Sequence, residues 1–158
     1  MKIFPLRLIG PVALMIATQL MPQAAKRPIA DISSRLDIYE AVVRYQIKSW
    51  QQEAHTYCVE INGADPDPAF LQRLRPLHVK GASACRKQND KRQMIVLDRK
   101  MKGSVIFKLG MVQDLTESQV ELDGGYLCGN LCMAQGNYRV VHEASGWRVV
   151  GFEARLTF

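Results

Sequence analysis

The sequence predicts an α+β fold: a long N-terminal amphipathic helix packed on a curved antiparallel sheet of four to five strands, with a short second helix between them. Three observations predict it. Apolar residues recur at helical spacing from Ile32 to Ala54, and β-prone segments alternate with turn residues from Met94 to the C-terminus. Four cysteines, Cys58, Cys85, Cys128 and Cys132, lie in the second part of the chain, where two disulfides would staple the sheet.

A chain of 158 residues suits one domain with its own core, and its apolar content is that of a globular protein. Residues 1–25 have the layout of a secretory signal peptide: Lys2 and Arg7 flank an apolar run from Leu8 to Ala17, and Ala24 and Ala25 follow. The apolar run is shorter than the roughly 20 residues of a membrane-spanning helix. With Gln23 or Pro22 at position −3 the cleavage site is atypical, which places the mature start between Ala25 and Asp31 and the folded domain at 31–158. An exported location, periplasmic or extracellular, follows, with no membrane span after cleavage.

Removing Lys2 and Arg7 from the 21 basic residues leaves 19 against 15 acidic ones. The cations gather at Arg86, Lys87, Lys91 and Arg92 and again at Arg99, Lys100 and Lys102. Such runs form a solvated face or a contact surface for anionic envelope polymers or lipid head groups; nucleic acid is an unsuitable partner for an exported chain.

Within the first helix, Ile32, Leu36, Tyr39, Val43, Ile47, Trp50 and Ala54 form one stripe, with Ser33 or Ser34 as cap. A short strand, Thr56 to Ile61, follows and ends at Asn62-Gly63. Asp67 then caps a helix from Pro68 to Leu74 that Pro76 stops, and His78 to Arg92 reads as a loop holding Cys85. The expected meander comprises Met94–Arg99, Gly103–Asp114, Ser118–Cys128, Asn137–Glu143 and Trp147–Thr157. Of three possible disulfide connectivities, the pairing of sequence neighbours, Cys58 with Cys85 and Cys128 with Cys132, closes the shortest loops. Residues four apart on an extended strand are about 13 Å apart, too far for a disulfide. Gly129-Asn130 must therefore bend the chain, and Gly129 to Gly136 reads as a pinned loop.

This order of elements resembles the cone-like fold of the nuclear transport factor two-like and cystatin-like group. Tyr57-Cys58-Val59-Glu60, Asp65-Pro66-Asp67-Pro68, the run Gly124 to Cys132 and Gly146-Trp147-Arg148-Val149 are also similar to features of small exported bacterial proteins of unknown function. The resemblance implies a fold and no activity.

Catalytic candidates are His142, Tyr126 and Asp98. His142 alternates with Tyr138 and Val140 and would face the concave side of the sheet, where Asp98, Asp114, Glu121, Asp123 or Glu143 would serve as its carboxylate partner. His55 and His78 stand alone. Tyr39, Trp50, Phe107, Tyr126, Tyr138 and Trp147 would line either a pocket for an apolar ligand or simply the core. Cys128 and Cys132 would otherwise suit copper or thiol handling, but an extracytoplasmic pair flanked by strands reads first as structural. No zinc spacing, phosphate-cradling glycine loop or nucleophile elbow occurs, and no cofactor is implied. The expected function is that of a disulfide-stabilised envelope module that binds a protein, polymer or small ligand. A small hydrolase-like or isomerase-like pocket enzyme using His142 is the alternative.

Overall fold

The computed structural model describes residues 32–50, 54, 56–90, 93–100 and 102–157. The signal peptide and the mature start, together with His55, Lys91 and Arg92, lie outside the described residues.

Helix α1 spans Ile32–Ser49. Its buried stripe is Ile38, Tyr39, Val42, Val43 and Gln46, so the inward face is rotated slightly from the expected one and includes a glutamine. Glu40 pairs with Arg44 one turn on at 2.8 Å, and Lys48 sits in the last turn, where the helix dipole favours a cation. The helix stops before Trp50, and Ala54 is not helical.

Strand β1, Thr56–Ile61, ends at Asn62 and Gly63, both with left-handed backbone (φ 51° and 80°), as a type I′ turn requires. Helix α2, Pro68–Arg73, carries proline at its first position, and the Asp67 carboxylate accepts from Ala69 N at 2.7 Å. Arg73 returns to α1, meeting Glu40 at 2.8 Å and Asp37. Then come β2 (Val79–Gly81), β3 (Cys85–Asp90), β4 (Gln93–Asp98), β5 (Ser104–Thr116), β6 (Gln119–Gly129), β7 (Cys132–Glu143) and β8 (Gly146–Thr157).

Among the described residues these strands form one eight-stranded mixed sheet, ordered β2-β1-β5-β6-β4-β3, with β7 and β8 continuing from β6. The expected antiparallel sheet of four to five strands is therefore corrected. So is the cone-like resemblance to the nuclear transport factor two-like and cystatin-like group. Strand β1 runs parallel to both β2 and β5, pairing Tyr57 with Val79 on one side and with Val105 on the other. Reading the chain as successive hairpins cannot reveal such pairings, because β1 and β5 are separated by three strands and a helix. The supposed loop from His78 to Arg92 contains β2 and β3; β3 is a polar edge strand whose ladder with β4 runs from Cys85 opposite Asp98. Likewise β7 begins at Cys132, so the pinned loop shrinks to a turn at Asn130 and Leu131.

Alternation divides the sheet into two faces. Val59, Val105, Phe107, Leu122, Tyr138, Val140 and Val149 pack with α1 and with Phe70 and Leu74 of the α2 region. Cys58, Ile106 and Leu127 point the other way and form a second cluster with Cys85 and Val96, contributed by the β3–β4 hairpin. The disulfide between Cys58 and Cys85, Cα atoms 6.3 Å apart, lies in that cluster and joins β1 to β3. The second bond, Cys128 to Cys132, has Cα atoms 5.3 Å apart and clasps the β6–β7 turn. The protein is thus a disulfide-stabilised, strand-dominated domain. Among the described residues no helix is long and apolar enough to cross a membrane.

Candidate functional site

The structure does not bring His142, Tyr126 and Asp98 together. His142 is exposed near the end of β7, its ring edge-on to Trp147 with centroids 4.9 Å apart. The neighbouring Glu143 carboxylate is held by Arg148 (Nε to Oε2, 3.1 Å), and that hydrogen bond keeps Glu143 below the usual carboxylate range. Tyr126 pairs across the ladder with Ala134, eight residues before His142, a separation of about 27 Å along the strand.

Asp98 is buried, 2% exposed, and organises the β4–β5 turn. Its Oδ1 accepts from Lys100 N at 2.8 Å and Lys102 N at 2.9 Å, and its Oδ2 accepts from the Thr56 hydroxyl at 3.2 Å. Thr56 shares the face of Cys58, away from α1. Among the other carboxylates, Asp123 pairs with Arg155 and Glu121 lies 3.9 Å from Arg139, while Asp114 lies in β5. His78 is an exposed residue with left-handed backbone (φ 54°) at the end of a single 3-10 turn. All four cysteines are bonded, so the thiols that a copper or thiol-exchange centre would use are consumed in the disulfides.

What the fold does create is a cavity of about 290 Å³ between the C-terminal end of α1 and the sheet. Tyr45, Gln46, Ser49 and Trp50 wall it from the helix side; Phe107, Tyr126, Tyr138 and Phe152 come from four successive strands, with Cys132 at one margin. The rings support one another: Trp50 meets Tyr126 edge-on at 5.0 Å and Phe107 at 6.2 Å, and Tyr138 stacks on Phe152 at 4.4 Å. Each strand delivers its ring because cross-strand register places Phe107, Tyr126, Tyr138 and Phe152 on the helix-facing side.

Gln46 is the polar centre of this wall, 5% exposed. Its Nε2 donates to Tyr138 Oη at 2.7 Å and to the Gly125 carbonyl at 2.9 Å, which uses both amide hydrogens. Among the described residues, its Oε1 and the indole Nε1 of Trp50 are buried and have no hydrogen-bond partner. Burial pushes the Tyr138 hydroxyl well above its ordinary value, so it stays protonated. No ionisable side chain other than tyrosine is among the described wall residues.

A second hollow, about 310 Å³, lies on the opposite sheet face, bordered by Glu60, Lys108, Gly110, Asp123 and Gly125. Its charges are matched, Lys108 with Glu60 at 3.9 Å and Asp123 with Arg155.

Four of the six aromatic residues considered from sequence, Trp50, Phe107, Tyr126 and Tyr138, thus wall the cavity. Tyr39 is a core residue donating to the Gly110 carbonyl at 3.1 Å, and Trp147 lies at the far end of the sheet. Sequence reasoning missed Tyr45, Gln46, Ser49 and Phe152. The signal for Gln46 was present, since it lies one turn beyond Val42 and Val43. Phe152 depends on the β7–β8 register, which a bulge between Arg139 and Val140 shifts. No protein-family model, curated protein or solved structure matches the chain.

Proposed function

We propose that this is an exported binding module that takes a small, largely apolar ligand into the cavity between α1 and the sheet. The supporting observation is the cavity itself: rings from the helix side and four strands line about 290 Å³ of partly open space. Ligand sites combine apolar and aromatic walls with a few polar groups, as this one does. The two disulfides suit an oxidising compartment, in keeping with the leader-like segment at residues 1–25. One of them, Cys128 to Cys132, ends in the margin of the cavity.

The test is titration with N-phenyl-1-naphthylamine, an uncharged dye that fluoresces in apolar surroundings. Ser49 is exposed at the helix end of the wall, so Ser49→Trp places a large side chain at the mouth without disturbing the core. Saturable one-to-one binding that Ser49→Trp abolishes is the expected result. Absence of saturable binding, or equal binding by Ser49→Trp, overturns the proposal.

A further inference from the structure

Charge is spread unevenly along this chain. Residues 86–102 hold seven basic residues against two acidic ones, a net +5 of the chain's +6, whereas the other 141 residues hold 14 against 13. That segment is the β3–β4 hairpin and the turn into β5. We propose that this hairpin and the neighbouring β6–β7 turn form a docking surface for an anionic phospholipid bilayer, independent of the ligand cavity.

Hairpin register explains why the cations face solvent. Cys85 and Val96 are buried in the second cluster and Asp98 is buried beside Thr56, so these positions point at the sheet. Alternation then turns Arg86, Gln88, Ile95, Leu97 and Arg99 outward, with Arg86 opposite Leu97 and Gln88 opposite Ile95. Arg86, Gln88 and Arg99 are exposed, and Ile95 and Leu97 are half-buried. The Asp98 carboxylate accepts from the backbone N–H groups of Lys100 and Lys102, which fixes the turn while both lysine side chains stay exposed.

Elsewhere the charges are matched locally. Among the described residues Glu40, Glu60, Glu121, Asp123 and Glu143 each pair with an arginine or a lysine. None of those pairs involves Arg86, Arg99, Lys100 or Lys102. Near an anionic lipid surface each such cation is worth about 1 kcal/mol.

Cations alone would serve any polyanion, and the β6–β7 turn is what favours a bilayer. Gly129 bridges to Ile95, which sets that turn beside the hairpin. Leu131 at its tip is 81% exposed, the most exposed large apolar side chain among the described residues, and the Cys128 to Cys132 bond closes the turn behind it. An aliphatic tip beside Ile95 and Leu97, flanked by cations, matches the boundary between head groups and acyl chains. There apolar side chains enter the bilayer a short way while lysine and arginine stay with the phosphates. A soluble polyanion would leave Leu131 in water.

Co-sedimentation of the disulfide-intact protein with vesicles tests the proposal. One set is phosphatidylcholine, the other phosphatidylcholine mixed with phosphatidylglycerol; dextran sulfate serves as the soluble polyanion. The expected result is binding to the mixed vesicles at least tenfold tighter than to phosphatidylcholine, and weaker at high salt. The double variant Lys100→Glu, Lys102→Glu and the single variant Leu131→Ser each weaken it about tenfold, and Leu131→Ser leaves dextran sulfate binding unchanged. All three positions are exposed, and an unchanged circular dichroism spectrum confirms that the variants fold. Equal binding to both vesicle types, no binding, or equal binding by the double variant overturns the docking surface. Binding to the mixed vesicles that Leu131→Ser leaves unchanged overturns the bilayer as partner in favour of a soluble polyanion.

Discussion

Gln46 donates to the hydroxyl of Tyr138 at 2.7 Å, which fixes the last turns of α1 over the middle of β7. The same amide reaches the Gly125 carbonyl of β6, so one side chain ties the helix to two strands. Tyr138→Phe removes the hydroxyl but leaves Gln46 its second acceptor, and it is expected to cost about 1 kcal/mol. Gln46→Leu loses both bonds but also eliminates the unpartnered Oε1, so its cost stays below the roughly 2 kcal/mol of two lost bonds. Urea unfolding with unchanged slope measures both; a Gln46→Leu loss above about 3 kcal/mol would show that Oε1 is not a liability in the free protein.

The two disulfides differ in the loop they close, 27 residues for Cys58 to Cys85 and 4 for Cys128 to Cys132. On the chain-entropy account, replacing the first pair by serine costs about 3.5 kcal/mol and replacing the second about 2 kcal/mol. Denaturation of the two double variants ranks them, and the reverse order would contradict the structure's assignment of the long-range staple.

A methyl group at Gly125 would lie 1.9 Å from the Ala134 carbonyl oxygen, and at Gly136 it would lie 2.0 Å from that of Glu153. Both contacts are with backbone of the neighbouring strand, which cannot rotate away. Gly125→Ala is expected to destabilise by more than about 2 kcal/mol. Gly103→Ala, where nothing stands within 4 Å, serves as the control and shifts the melting temperature little.

Burial raises the Tyr138 pKa above that of an unfolded tyrosine, near 10. Above that pH the unfolded chain releases a proton that the folded chain retains, so the tyrosine favours unfolding more strongly as pH rises toward the folded value. Stability is therefore expected to fall between pH 9 and pH 11 more steeply in the native protein than in Tyr138→Phe. Identical slopes in paired denaturation series would contradict it.

Local features of this fold were legible in sequence wherever local chemistry decides them. Helix α1 as an element, β1 with its Asn62-Gly63 stop, the Asp67-Pro68 entry to α2 and the β7–β8 turn at Gly146 (φ 109°) all follow from periodicity, capping or glycine geometry, whereas the expected cap of α1 was misplaced, since Ser33 and Ser34 lie inside the helix. The disulfide pairs follow from the short loops they close. The parallel placement of β1 against β5 was not legible, because it is fixed by burial of Val59 and Phe107 on a common face rather than by any connecting turn. Strand β3, Cys-Arg-Lys-Gln-Asn-Asp, has little β propensity and owes its conformation to the ladder with β4.

The candidate site was half legible for the same reason. Aromatic residues at strand spacing could be named as pocket or core, but which rings converge depends on register across four strands. His142 and Tyr126 fall on alternating positions that look compatible on paper, yet about 27 Å of strand separates their positions. Gln46, a polar residue inside an apolar stripe, was the one feature of the helix that local reasoning could have singled out.

A crystal structure of the protein grown with N-phenyl-1-naphthylamine tests the central claim most directly. The account predicts one molecule between α1 and the sheet, against the rings of Trp50, Tyr126 and Phe152. A cavity closed by its own side chains, or the dye bound only on another face of the sheet, would contradict it.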